Sequence, residues 1–112
     1  MEDNVKYTNI LIISDQYIND DLFKDFDYMV VQDFEFKKPF MGVSKGQYIE
    51  FDILITTDML LKNVMREDGY IITNENFETS VDGYFAIGNT VKSNKSLDEQ
   101  FNIILDYLKG NE

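Results

Sequence analysis

At 112 residues, with 21 acidic and 10 basic side chains, the chain carries a formal charge of −11, and it contains no Cys, His or Trp. These counts exclude disulfides, thiolate or imidazole metal sites, cysteine nucleophiles and every mechanism that uses imidazole as acid or base, while so acidic a field repels phosphate backbones and anionic lipid. An apolar fraction of 44% with six Gly and one Pro is that of a folding chain, and its length suits a single domain over residues 1–112.

In chain order, Asn9 is followed by the continuous apolar run Ile10-Leu11-Ile12-Ile13, stopped by Ser14 and Asp15. A β-branched run of this kind suits a strand buried on both faces, as in a parallel sheet. Asn19 is a candidate N-cap, with Asp20 and Asp21 at the positive end of a helix dipole and Leu22, Phe23 and Phe26 at spacings of three and four, so a short helix is predicted over residues 20–26. Residues 28–31 read as a strand, residues 34–36 alternate until Pro39, and Gly42 and Gly46 are expected to bracket a turn. Residues 48–55 begin alternating and end wholly apolar, as does a strand that runs from a sheet edge into a core.

Residues 59–65 form an irregular or helical connector. Asp68-Gly69 and Asp82-Gly83 are turn pairs that feed strands over residues 70–73 and 84–87. Ser96-Leu97-Asp98-Glu99 is a capping box, and Leu97, Phe101, Ile104, Leu105 and Leu108 make one apolar stripe, so a helix is predicted over residues 97–109 with Gly110 as a left-handed C-cap. Strands alternating with helical segments and hairpin pieces predict an α/β fold: a small mixed sheet, largely parallel in its core, with the C-terminal helix packed on it. The longest apolar runs are far short of the ~20 residues of a membrane helix, and no basic segment precedes an apolar stretch at the N-terminus. A cytoplasmic protein that binds neither membrane nor nucleic acid is expected.

Several side-chain groupings have an ordinary structural reading. Asp20, Asp21, Asp25 and Asp27 lack the ligand spacing of an EF-hand and suit a solvated helix face. Glu67-Asp68 and Glu75 to Glu78 lie in turn-like segments, where acids are routine. Tyr7, Tyr17, Phe34, Phe36, Phe40 and Tyr48 read as core or cross-strand aromatics rather than a stacking surface. Lys37-Lys38-Pro39 reads as protection of a strand edge.

Residues 69–90 carry a further pattern. Gly69, Ile71, Thr73, Thr79, Ser80, Val81, Gly83, Phe85, Ala86 and Gly88 fall at unbroken spacing. This stretch resembles the thioredoxin reductase-like branch of the FAD-dependent pyridine nucleotide-disulfide oxidoreductases, whose FAD domain ends in Gly-x-Ile-x-Thr-Asp and, a few residues on, Thr-Ser-Val-Pro-Gly-Ile-Phe-Ala-Ala-Gly-Asp. The likeness extends more loosely over residues 48–109 and leaves open whether residues 1–47 derive from a nucleotide domain. It implies that Gly88, Asn89, Thr90 and, on the final helix, Gln100 would approach a flavin if one were bound.

The chain departs from the family where chemistry is concerned. The family's acidic residue after the last Gly is Asn89, its Pro is Asp82, and the small residues of its final helix are here Asn102, Ile103, Ile104 and Leu105. No Gly-x-Gly-x-x-Gly turn and no Cys-x-x-Cys pair is present. The resemblance therefore implies a non-catalytic remnant acting as a binding or regulatory module, with no catalytic residue, no metal and no cofactor of its own. The alternative is a split subunit that completes an FAD site with a partner chain. A further alternative is an acidic decoy of basic or DNA-binding proteins. Because one long and one short helix are too few to cover both faces of such a sheet, a homodimer or tight protein partner is expected, with about 800 Å² or more buried per chain.

Overall fold

The computed structural model describes residues 5–59 and 61–110. The apolar run forms the second half of β1 (Val5–Ile13), in which Ile10, Leu11 and Ile12 are fully buried. Parallel neighbours flank it, β2 (Tyr28–Val31) on one side and β5 (Gln47–Thr56) on the other, so that Ile12 stands between Val30 and Ile55. β3 (Glu35–Lys38), β4 (Met41–Ser44) and β5 make an antiparallel meander, and β8 (Tyr84–Ala86) adds in parallel to the end of β5. The order is β2-β1-β5-β4-β3, with β8 beside residues 54–56 of β5 and β4 beside residues 47–50. A separate hairpin pairs β6 (Arg66–Glu67) with β7 (Tyr70–Ile71), and the chain closes with α1 (Leu97–Gly110). The fold is thus the mixed α/β sheet with a C-terminal helix that the sequence pattern implies.

Two adjacent residues of β8 define the layers. The Phe85 ring meets Tyr107 of α1 at 6.0 Å, whereas Tyr84 meets Phe40 at 5.3 Å and Phe36 at 6.1 Å. Successive strand residues point to opposite faces. The helix therefore covers one face, and the aromatic residues of the meander cover the other, with Phe51 in ring contact with Phe34, Phe36 and Phe40. On the helix side Phe101 is fully buried and edge-on to Phe23, with centroids 5.0 Å apart. Two helices are expected to be too few to cover both faces; α1 packs on one, and on the other part of the cover comes from the sheet's own β3–β4 side, where Phe34, Phe36 and Phe40 meet Phe51. Apolar side chains stay open on β1 and β5, where Val5 pairs with Tyr48 and Val5, Tyr7 and Tyr48 are 47%, 55% and 38% exposed, and also at Val30 on β2 and Phe36 on β3.

Other local expectations are also corrected. The helix over residues 20–26 is a single 3₁₀ turn, Asp20–Phe23, capped by Asn19 as expected; one turn with no continuing i to i−4 bond does not propagate. Gly42 lies inside β4, and the turn is Lys45-Gly46, both at positive φ. Only Tyr70–Ile71 of residues 70–73 is strand, because its partner is the short β6. Gly110 is the last residue of α1 and not its left-handed cap. The connector over residues 59–65 is irregular apart from Leu60, which lies outside the described residues.

Candidate functional site

After β8, the Ile87 N–H donates to the Thr56 carbonyl (3.0 Å), and the chain turns at Gly88 into the 3₁₀ segment Gly88–Thr90. Gly88 has φ +70, while a Cβ there would meet Thr57 Cγ2 at 3.4 Å, an ordinary contact; the left-handed backbone, not crowding, calls for glycine. The four residues named from the sequence do come together, but with unequal orientation. Thr90 is fully buried and donates its hydroxyl to the Ile87 carbonyl (2.8 Å), whereas Asn89 is exposed. Gln100 is 2% exposed: its Oε1 accepts from the Gly88 N–H at 2.7 Å, and its Nε2 donates to the Lys95 carbonyl at 2.9 Å. The amide that would face a ligand is thus held by α1 itself. Outside it, Tyr70, Asn89, Val91, Lys92, Ser93 and Asn94 line an open cleft of about 580 Å³.

Replacing Gln100 by Leu leaves the Gly88 N–H and the Lys95 carbonyl without their partner, at an expected cost of about 1–3 kcal/mol. Urea denaturation checks this, with a change below about 0.5 kcal/mol showing that Gln100 is not a brace.

The N-terminus of α1 is likewise engaged. The Glu99 N–H donates to Ser96 Oγ (3.2 Å), and the Ser96 N–H donates to Glu99 Oε1 (2.8 Å), which completes the capping box. These bonds hold the Glu99 carboxyl below its ordinary value of 4.5. A carboxylate with a depressed folded pKa contributes stability at pH above its unfolded value and loses it as pH falls through the folded one. Wild type is therefore expected to lose stability below pH 4.5 more steeply than Glu99→Gln, as read by thermal melts from pH 6 to pH 3; parallel curves would contradict this. Asp98 and Glu99 also place negative charge at the helix end that would otherwise favour an anion.

The remaining residues of the pattern build a turn. Thr79 Oγ1 accepts from the Val81 N–H (3.1 Å), Ser80 Oγ from the Met65 N–H (3.0 Å), and Glu78 Oε2 from the Gly83 N–H (2.8 Å). Tyr107 on α1 donates to the other Glu78 oxygen at 3.5 Å. Glu78 is thus a strut between the turn and α1. Sequence reasoning missed it because both partners depend on where α1 and the turn meet. The Asp20 to Asp27 group is also divided: Asp20 accepts from Tyr28 Oη (2.9 Å), and Asp27 from the Asn9 N–H (3.3 Å). Among the described residues no three His, Cys, Asp or Glu side chains converge as a metal site would require.

A flavin dinucleotide does not fit these residues. After β1 the chain runs through Ser14-Asp15-Gln16-Tyr17-Ile18-Asn19 with no glycine, and the next element is one 3₁₀ turn opening on Asp20 and Asp21. That segment offers acidic side chains where a pyrophosphate needs a close backbone and a helix N-terminus. At the ends of β1 and β5, the Thr57 hydroxyl donates to Ser14 Oγ (3.1 Å), and Asp15, Asp33 and Asp58 line the adjoining cleft.

No family model and no curated protein matches the chain. Among solved structures it is similar to a ferredoxin-flavin thioredoxin reductase from Clostridium acetobutylicum, with 17% identity and a TM-score of 0.38. That alignment covers 95% of this chain and 50% of the reductase, so the chain spans about half the length of that protein.

Proposed function

We propose that the chain is a non-catalytic module patterned on the C-terminal FAD-domain segment of thioredoxin reductase-like flavoproteins, acting as a binding or regulatory protein rather than a redox enzyme. One observation carries this reading. The pair that the resemblance assigns to a flavin, Gly88 and Gln100, is spent on an internal hydrogen bond of 2.7 Å. The turn built by Thr79, Ser80 and Gly83 supports it too, since these residues have structural work that needs no cofactor. The protein is incubated with excess FAD, desalted and assayed with NADPH. No retained flavin absorbance and no NADPH oxidation are expected, and stoichiometric flavin overturns the proposal.

A second reading rests on the open cleft beside exposed Asn89. A partner chain that supplies a glycine-rich strand could present its flavin there, making this chain a split subunit of an oxidoreductase. Flavin retention only on mixing with a C-terminally truncated reductase supports it, and failure to co-purify with any flavoprotein removes it. For either reading, the exposed Val5, Tyr7 and Tyr48 are the apolar surface on which we place a homodimer or partner contact. Light scattering at micromolar concentration tests the dimer, which a constant mass near 13 kDa would rule out.

A further inference from the structure

On the face away from α1, the meander and the ends of the central strands form a cleft of about 710 Å³. Its lining is mixed, with apolar and aromatic side chains beside Asn63, the buried Thr56 and several charged groups. Ile13, Leu61 and Tyr84 lie at the base, each less than a tenth exposed; Phe34 stands half-buried, and Phe36 is 37% exposed. The opening is ringed by Lys37, Lys38 and Lys62, so three of the ten basic residues of a chain with charge −11 surround one cleft. Lys37 is paired with Glu35 at 3.0 Å, and Asp58 also lines the cleft. The ammonium groups of Lys38 and Lys62 have no ion-pair partner among the described residues.

A cleft of this size that combines aromatic walls with a small number of charged groups has the ordinary form of a small-molecule site. Gatekeeping of the β3 edge explains Lys37 and Lys38 but not Lys62, which arrives from the connector 24 positions later in the chain. We propose that this cleft binds a small apolar carboxylate, its hydrocarbon or aromatic body against Phe34, Phe36 and Tyr84 and its charge between Lys38 and Lys62. Aromatic side chains accept a flat apolar body, and lysines act as point charges for one carboxylate. No guanidinium and no helix N-terminus stands at the rim to grip a phosphate in two places. The site lies across the sheet from Gly88 and is independent of any flavin there.

The test uses the full chain, with 4-phenylbutyrate as probe and 4-phenylbutan-1-ol as its uncharged counterpart, monitored by amide chemical shifts and calorimetry. Saturable binding of one phenylbutyrate per chain is expected, with shifts at Phe36, Lys38, Lys62 and Tyr84, and with the alcohol bound about tenfold more weakly. The double variant Lys38→Glu, Lys62→Glu, whose changes are at exposed positions, is expected to lose about tenfold in phenylbutyrate affinity and to bind the alcohol unchanged. The assignment is overturned by no saturable binding up to about 10 mM, by equal affinity for acid and alcohol, or by shifts confined to residues 88–94. It is equally overturned if the same residues shift with protein concentration alone, which would mean that a second copy fills the cleft. A chain that binds phenylbutyrate and also retains FAD keeps this site and removes only the non-catalytic reading.

Discussion

Truncation of Phe101 to alanine is expected to lower stability by about 3–5 kcal/mol, the cost of emptying a large buried site that the surroundings fill only in part. Phe101 is fully buried and meets Phe23 edge-on at 5.0 Å. It is thus the point at which α1, the Asp20–Phe23 turn and the sheet converge. Collapse into the gap is opposed on both sides, because Ile104 and Leu105 hold α1 in place and the Asn19 cap holds the turn. For a chain of this length the loss corresponds to a fall of roughly 12–20 °C in Tm. Lys109→Ala, on the same helix but exposed and only over the Phe26 ring at 5.6 Å, should change stability by less than about 1 kcal/mol. Urea melts of the two variants check the contrast. A Phe101→Ala loss under about 2 kcal/mol would mean that α1 is not anchored through this ring.

Gly42→Ala is expected to cost about 3 kcal/mol, although alanine adds one carbon and the backbone there is not left-handed. The reason is space. A Cβ at Gly42 would fall inside contact distance of the Glu35 carbonyl oxygen and 2.6 Å from the Phe34 ring. The ring can rotate, but the carbonyl belongs to β3, whose register with β4 fixes it. The hairpin must therefore open, and with it the aromatic layer of Phe34, Phe36 and Phe40. Gly46 is the control: at φ +81 with nothing within 4 Å of its Cβ position, Gly46→Ala meets only backbone strain, about 1 kcal/mol. Equal losses for the two variants would show that crowding at Gly42 is relieved without moving the hairpin. Because Phe34 and Phe36 wall the lysine-rimmed cleft, Gly42→Ala should also weaken phenylbutyrate binding, whereas Gln100→Leu should not.

Elements whose signal is local are legible in the residues alone. The Ser96 to Glu99 capping box, the stripe of Phe101, Ile104 and Leu105, the Asn19 cap and the buried run from Ile10 to Ile13 are each set by residues within a few positions, so spacing reveals them. The same locality made the 20–26 helix an overestimate, because three apolar residues at helical spacing do not show whether a second turn will form. Which surface meets which was settled by the packed molecule. Gly42 reads as a turn glycine until the Phe34 ring is laid over it, and Gln100 reads as a cofactor contact until its Oε1 meets the Gly88 amide twelve positions away. Phe36, Phe40 and Tyr84 gather into one aromatic cluster on the face opposite α1, and Lys62 joins Lys38 at one rim, through contacts between segments far apart in the chain. Periodicity reports which face of an element is apolar and never which surface it meets, because that choice is made by loop closure and packing among all elements at once.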